Sequence, residues 1–427
     1  MARDALTQCL ECDLPQRNPP LPVGAAARCV RCGALLHRNR PDSLERTLAL
    51  TVAGLVLFLV ANGFPFLSFQ MQGQGTDTTL ISGVQHLHAQ GMWQLAAVVL
   101  FTSILAPGLQ LGLLLAVLLP LAVGHLPRGF ATLFRYVQTL TPWAMMDVFM
   151  LGILVAAVKL ADLATLVPGP SLFAFLVLIF VLAAAQASLD PDIVWSRVSV
   201  PPAARRPPAA GEPLIACRVC ELTVPVGAVA GGPGKPRCPR CGARLHRRKR
   251  DSLQRTWALL IGAVVCYLPA NLLPIMTVTS LGQTQSDTIM SGVIFLVTHG
   301  MWPLALVVFV ASVLVPLLKV AILAYLLISV QAGSRRRPRE RTRLYRLTEL
   351  VGRWSMVDIY VVTILVALVR LDHLASIDAG PGAVFFAAVV VLTMLAAMTF
   401  DPRHIWDACV QGKAHVDPRD CGCASAR

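Results

Sequence analysis

The sequence predicts an all-α polytopic membrane protein, built as a tandem duplication of a four-helix transmembrane module. That gives eight spans, with a small cysteine-rich ribbon before each copy. Three observations predict it. First, 56% of the 427 residues are hydrophobic and 14% charged, against about 25% charged in soluble domains. Second, a set of motifs occurs twice in the same order at an offset of about 210 residues. Third, each copy holds apolar stretches near the roughly 20 residues that cross a bilayer. This composition excludes a disordered chain, a coiled coil and a collagen-like chain.

The elements follow in order. Residues 1–46 form ribbon 1 and 47–189 transmembrane module 1. A Pro-rich linker covers 190–216, ribbon 2 217–256, module 2 257–400 and a tail 401–427. Expected spans are 47–69, 93–119, 143–161 and 171–189, then 257–276, 302–330, 354–370 and 382–400. An even number of spans per copy gives both copies the same orientation. The net charge is +14, yet loops 70–92, 277–301 and 371–381 contain no Lys or Arg. The positive-inside rule then places both termini and both ribbons in the cytoplasm. The excess charge reads as topology and lipid contact, not nucleic acid. No cleavable signal peptide is visible. The stretch Val200–Pro213, rich in Pro and Ala, reads as an extended linker that lets ribbon 2 dock independently.

Eight of the twelve cysteines form four CxxC pairs: Cys9/Cys12, Cys29/Cys32, Cys217/Cys220 and Cys238/Cys241. Sixteen residues separate Cys12 from Cys29, and seventeen separate Cys220 from Cys238. Each CxxC makes a tight knuckle that aims two thiolates at one ion, and two knuckles complete a tetrahedron. Gly33 and Gly242 suit the knuckle turn. Modules of this length lack a hydrophobic core, so a metal supplies the folding energy. Zinc is the expected metal. Iron on the same four sulfurs, or a dithiol redox pair, are the alternatives. Cys421 and Cys423 read as part of a polar end, and Cys266 as an apolar helix residue.

Ionisable groups inside spans are costly and mark function. Lys319, Asp358 and Thr393 fall on the second, third and fourth spans of copy two at similar expected depth. Pairing Lys319 with Asp358 would lower the desolvation cost of both. Copy one has Gln110 and Leu182 in place of Lys319 and Thr393, and shares only the aspartate, as Asp147. The working site is therefore expected in copy two, against a purely structural ion pair. Asn62 with Pro65, and Asn271 with Pro274, read as helix ends in which asparagine satisfies freed backbone groups. Pro107 and Pro316 are expected to kink the second helices, Pro316 at a cavity. Trp93 and Trp302 read as interfacial anchors. The phosphate-loop, zinc-protease and nucleophile-elbow motifs are absent, and Gly234-Lys235 runs into Pro236. The chain therefore reads as a non-enzyme.

These motifs together resemble the paraquat-inducible protein A (PqiA) family, which includes LetA. The residues that carry the resemblance are the tandem CxxC ribbons, D-S-L-x-R-T at Asp42 and Asp251, and A-N-x-x-P at Ala61 and Ala270. S-G-V at Ser82 and Ser291, G-M-W at Gly91 and Gly300, and D-P-x-x-x-W at Asp190 and Asp401 complete the set. It covers roughly 9–410. The resemblance implies a bacterial inner-membrane protein that passes phospholipid between the bilayer and a periplasmic MCE-domain tunnel of the LetB or PqiB kind. Alternative readings are a proton-coupled small-molecule transporter and a zinc- or redox-sensing membrane protein.

Overall fold

The computed structural model describes residues 6–17, 21–71, 74–127, 129–160, 165–209, 211–229, 236–280, 283–352, 356–368, 370–371 and 375–411. Cys421 and Cys423 lie outside the described residues. The chain opens with two hairpins, β1 (Leu6–Gln8) with β2 (Pro15–Arg17) and β3 (Ala26–Arg28) with β4 (Leu35–Arg38). Helix α1 (Ser43–Gly63) leads to strands β5 (Leu67–Met71) and β6 (Gln74–Thr78), then α2 (Leu80–Ala89). The second long helix has three parts: α3 (Trp93–Leu100), a π turn (Phe101–Leu105) and α4 (Ala106–Ala122). Next come α5 (Phe130–Leu140), α6 (Met146–Leu160), β7 (Thr165–Pro168), α7 (Pro170–Ser188) and α8 (Pro191–Ser196).

Copy two repeats this order. Its ribbon has β8 (Leu214–Ala216) and β9 (Thr223–Pro225), followed by α9 (Ser252–Leu272), β10 (Met276–Ser280), β11 (Gln283–Asp287) and α10 (Ile289–Thr298). Then α11 (Trp302–Phe309), a second π turn (Val310–Leu314) and α12 (Val315–Gln331) lead into α13 (Pro338–Val351) and α14 (Val357–Leu368). Strands β12 (Arg370–Leu371) and β13 (Ala375–Ala379) precede α15 (Pro381–Thr399) and α16 (His404–Gln411).

Among the described residues, seven helical stretches are long and apolar enough to cross a membrane. The eighth expected span, 354–370, is α14, whose described part has 12 residues. Most of its described side chains are buried. It packs on α6, α2, α3 and β13, so it forms the centre of the bundle instead of its lipid face. Loops 70–92 and 277–301 are not irregular. Each continues a hairpin into a short helix, and the hairpins join sheets ordered β6-β5-β7 and β11-β10-β13-β12. At the two ends of 190–216 the structure has α8 and β8.

The repeated motifs each close a joint. In D-S-L-x-R-T, Ser43 Oγ donates to Ser188 O at 2.7 Å and Ser252 Oγ to Thr399 O at 3.0 Å. This latches the first helix of each copy to its last, and those pairs, α1 with α7 and α9 with α15, are the most extensive packings. In S-G-V, Ser82 and Ser291 are the third residues of capping boxes with Thr79 and Thr288. Asn62 Nδ2 donates to Phe58 O at 2.8 Å and Asn271 Nδ2 to Tyr267 O at 2.9 Å, at the end of each first helix. Pro65 and Pro274 follow in the turn. The π turns directly precede Pro107 and Pro316. A proline has no N–H and clashes with the carbonyl one turn back, and a π turn relieves both problems.

The copies meet where α6 packs on α14. Tyr360 donates to Thr102 Oγ1 at 2.8 Å and stands edge-on to Phe149. A Cβ at Gly152 would lie 2.7 Å from Tyr360 Cβ, so glycine sets the helix spacing there. Gly152→Leu is expected to cost about 1–3 kcal/mol by overpacking, read as a lower melting temperature in detergent. An unchanged melting temperature would contradict this close packing.

Candidate metal centres and the buried lysine

In each ribbon two knuckles face each other. Cys9 N donates to Leu14 O at 3.0 Å and Asp13 N to Cys9 O at 2.9 Å. The second knuckle repeats this with Cys29 N to Ala34 O and Gly33 N to Cys29 O, and ribbon 2 does the same around Cys217 and Cys238. The residue after each knuckle has a left-handed φ: +64° at Asp13, +73° at Gly33, +58° at Glu221 and +71° at Gly242. Two of these positions are not glycine, so the αL cost is borne by Asp and Glu.

The sulfurs converge. Cys9 and Cys32 Sγ lie 3.6 Å apart, Cys12 and Cys29 3.5 Å, Cys217 and Cys241 3.5 Å, and Cys220 and Cys238 3.5 Å. All four sulfurs of each set lie within 4.8 Å of one another, and all eight cysteines are buried. A tetrahedral ion with metal–sulfur bonds of about 2.3 Å needs sulfurs about 3.8 Å apart, so both clusters could hold a metal ion. A cation stands beside the first. Arg346 donates to Cys32 O at 3.1 Å, approaches Cys32 Sγ at 3.6 Å and pairs with Glu11. Positive charge beside sulfur favours thiolate.

The ribbons are exchanged between the copies. Cys9, Cys12, Cys29 and Cys32 belong to one buried cluster with Leu323, Tyr345, Phe400 and Trp406 of copy two. The cysteines of ribbon 2 cluster with Leu118, Phe130, Phe134 and Trp195 of copy one. The arginine inside each second CxxC makes the exchange reciprocal. Arg31 lies 4.8 Å above the Trp406 ring and Arg240 5.8 Å above the Trp195 ring. The knuckles of ribbon 2 therefore pack mainly on copy one, with Arg218 reaching back to Asp401 of copy two, and the two ribbons touch through Gln8 N donating to Thr223 Oγ1 at 3.1 Å. The stems stay at home: Lys249 donates to Phe400 O at 2.9 Å and Arg40 to Gln186 O at 3.1 Å. Burial, reinforced by the charge of Arg218, pushes the Lys249 ammonium down to about 8. Burial pushes the Asp190 carboxyl up from its ordinary range.

Lys319 is 2% exposed. Its Nζ donates to Thr393 Oγ1 at 2.8 Å and to Gly352 O at 3.3 Å. The structure thus brings two of the expected polar residues together. Asp358 lies in α14 with its side chain outside the described residues, and Asp147 is exposed in the first turn of α6. Lys319, Gly352 and Met394 of copy two and Thr141, Pro142 and Gln186 of copy one line a cavity of about 460 Å³. The lysine therefore borders a space between the copies. Pro316 is buried in the first turn of α12, one turn before Lys319. Gln110, in the Lys319 position of copy one, reaches Thr141 Oγ1 at 3.4 Å.

Trp195 and Trp406 as ribbon seats escape a reading of the sequence alone. A signal is present, because both the arginine of C-x-R-C and the tryptophan of D-P-x-x-x-W recur. Arg346 recurs as well: aligning Trp143 with Trp354 puts Arg135 at its place in copy one. The carboxylate that Arg346 meets does not recur, since Val219 stands in ribbon 2 where ribbon 1 has Glu11.

A duplicated helical bundle carrying two tetracysteine ribbons defines a class of multi-pass membrane protein. Paraquat-inducible protein A is the family whose pattern matches, over residues 44–199 and 253–409. The chain belongs to this family. It is 35% identical over 405 residues to the Intermembrane transport protein PqiA of Escherichia coli strain K12, covering 93% of this chain and 95% of that protein. It is 33% identical over 419 residues to the Lipophilic envelope-spanning tunnel protein A of the same strain, covering 98% and 95%. A Probable intermembrane transport protein of Haemophilus influenzae is 30% identical over 404 residues, covering 94% and 95%. No solved structure matches the chain.

Proposed function

We propose that the chain is a non-enzymatic inner-membrane lipid transport protein that passes phospholipid between the bilayer and a periplasmic MCE-domain tunnel. The relatives named for intermembrane transport and for an envelope-spanning tunnel support this reading. The observation that carries it is the buried Lys319 ammonium at a cavity shared by the two copies. A buried cation with few partners is expensive and persists where it works. Lys319, Asp358 and Thr393 act as a polar switch in module 2, with Asp147 the copy-one counterpart of Asp358. In this proposal, protonation of Asp358 would weaken its pairing with Lys319 and loosen the bundle. The helix breaks at Pro65, Pro274 and Pro316 give the bundle its places to bend.

Zinc in each four-cysteine cluster folds the ribbons, which lie in the cytoplasm with both termini. A closed four-thiolate ion has no open coordination position, so its part is structural. It holds each ribbon against the other copy, and the switch in module 2 is thereby roofed by ribbon 1 through Arg346 and α13. The test is transfer of a fluorescent phospholipid from vesicles holding the chain to its purified MCE partner. Transfer well above protein-free vesicles is expected. Transfer at the protein-free rate, with both proteins folded, would sink the reading.

A further inference from the structure

The exchanged ribbons leave one tryptophan seat closed and the other open. In copy two, Trp406 Nε1 donates to Thr342 Oγ1 at 3.1 Å. Asp401, with a fully buried side chain, is held by Arg218 at 2.6 Å and Arg403 at 3.2 Å. Copy one has Ala131 in the place of Thr342. Trp195 is 1% exposed there and its Nε1 has no partner among the described residues. Instead a cavity of about 600 Å³ lies between ribbon 2, the stem of ribbon 1 and the ends of α5 and α7. Gln110 Oε1, Gln138 Oε1 and Arg218 Nε, all on its walls, are likewise buried without a hydrogen bond among the described residues. Buried polar atoms without partners cost free energy and call for a missing one.

The donors set its chemistry. Arg38 and Arg135 line the cavity and have no carboxylate partner among the described residues. Arg135 differs in this from its counterpart Arg346, which has Glu11 where Arg135 faces a ribbon with Val219. Arg218 Nε and the Trp195 indole N–H add two free donors. Guanidinium groups with a neutral N–H suit a phosphate. The opposite sign is also present: His37, Asp190 and Asp192 gather within 4.8 Å of one another, with Glu221 on the same wall. Cationic and anionic groups in one cavity suit a ligand that carries both charges. Leu114, Val137 and Leu189 supply apolar wall. Thr141 and Gln186 line this cavity and the one at Lys319, so the two adjoin.

We propose that this copy-one cavity binds the phosphodiester of a zwitterionic phospholipid headgroup, its ammonium toward the Asp190 and Asp192 side. The phosphate follows from the donors alone, whereas the choice of a lipid as its source rests on the transport reading. The full chain, delipidated in detergent, is incubated with phosphatidylethanolamine and the retained lipid is counted by native mass spectrometry. Arg135→Gln and Trp195→Phe are each expected to lower retention at least about fivefold, the loss of one charge-assisted or one neutral hydrogen bond. Trp195→Phe keeps an aromatic ring under Arg240. Trp406→Phe, at the closed seat, is expected to retain lipid like the wild type.

Wild-type retention by both copy-one variants, with melting temperatures held, would overturn the site. If inorganic phosphate alone stabilises the wild type and displaces the lipid, the phosphate site stands and the lipid assignment falls. Retention lost in the variants of a protein that never transfers lipid would uphold the site and refute the transport reading.

Discussion

Replacing Lys319 by methionine is expected to reduce phospholipid transfer to near the background while leaving the melting temperature unchanged or raised. The two expectations have one cause. The ammonium is removed from water and has two neutral partners among the described residues, Thr393 Oγ1 and Gly352 O. Burying a charge costs several kcal/mol, and a hydrophobic residue of similar volume removes that cost. Methionine has a similar reach and adapts to irregular space. Thr393 is not orphaned by the change, because its hydroxyl already donates to Val390 O at 3.0 Å. If the ammonium biases the bundle between two states by the usual 1–3 kcal/mol, its removal changes transfer by about 5–150-fold. Transfer within about twofold of wild type would assign Lys319 to packing alone. A lost fold would be visible separately, as a lower melting temperature.

Removing one ribbon's metal is the second large effect, and the exchange gives it an address. Cys12→Ser leaves three thiolates for one ion, and structural zinc supplies about 10–16 kcal/mol of folding free energy in small ribbons. The metal content is expected to fall from two ions per chain to one, and ribbon 1 to unfold. Its knuckles contact copy two, through Arg31 on Trp406 and Arg346 on Cys32, while its stem pairs with α8 through His37 and Asp192. Hydrogen exchange is therefore expected to rise in α13 and α16, and not in α5. Cys220→Ser is expected to do the reverse, exposing Phe130, Phe134 and Trp195. A rise confined to the copy that follows the damaged ribbon would show that the ribbons are not exchanged.

Much of this architecture is legible in the amino-acid sequence. The cysteine spacing names the knuckles because four thiolates around one ion demand it. The repeat defines the plan because so many motifs do not recur in order by chance. The placement of Lys319 near Thr393 follows from counting turns down two helices. Other features are non-local. Arg346 meets Cys32 across 314 positions, and no local pattern marks such a pair. Strands β6 and β11, Gln-Gly-Thr-Asp-Thr and Gln-Thr-Gln-Ser-Asp, hold no apolar side chain larger than a threonine methyl. Without alternating apolar residues they carry no strand signal, and they form because they pair with β5 and β10. Asp13 and Glu221 occupy left-handed turns where glycine is the expected residue, since the knuckle geometry overrides residue preference. The central helix α14 reads as a span by its hydropathy, but its apolar residues face neighbouring helices.

The proposed hand-over of phospholipid to an MCE-domain partner is the step on which the rest of the account depends. The most direct measurement is mild-detergent purification from native membranes, followed by mass spectrometry of the co-eluting protein and lipid. A periplasmic MCE-domain protein in fixed stoichiometry, with bound phospholipid, is the predicted result. A chain that elutes alone and lipid-free, yet carries protons across vesicles without any partner, would contradict the account and make it a small-molecule transporter.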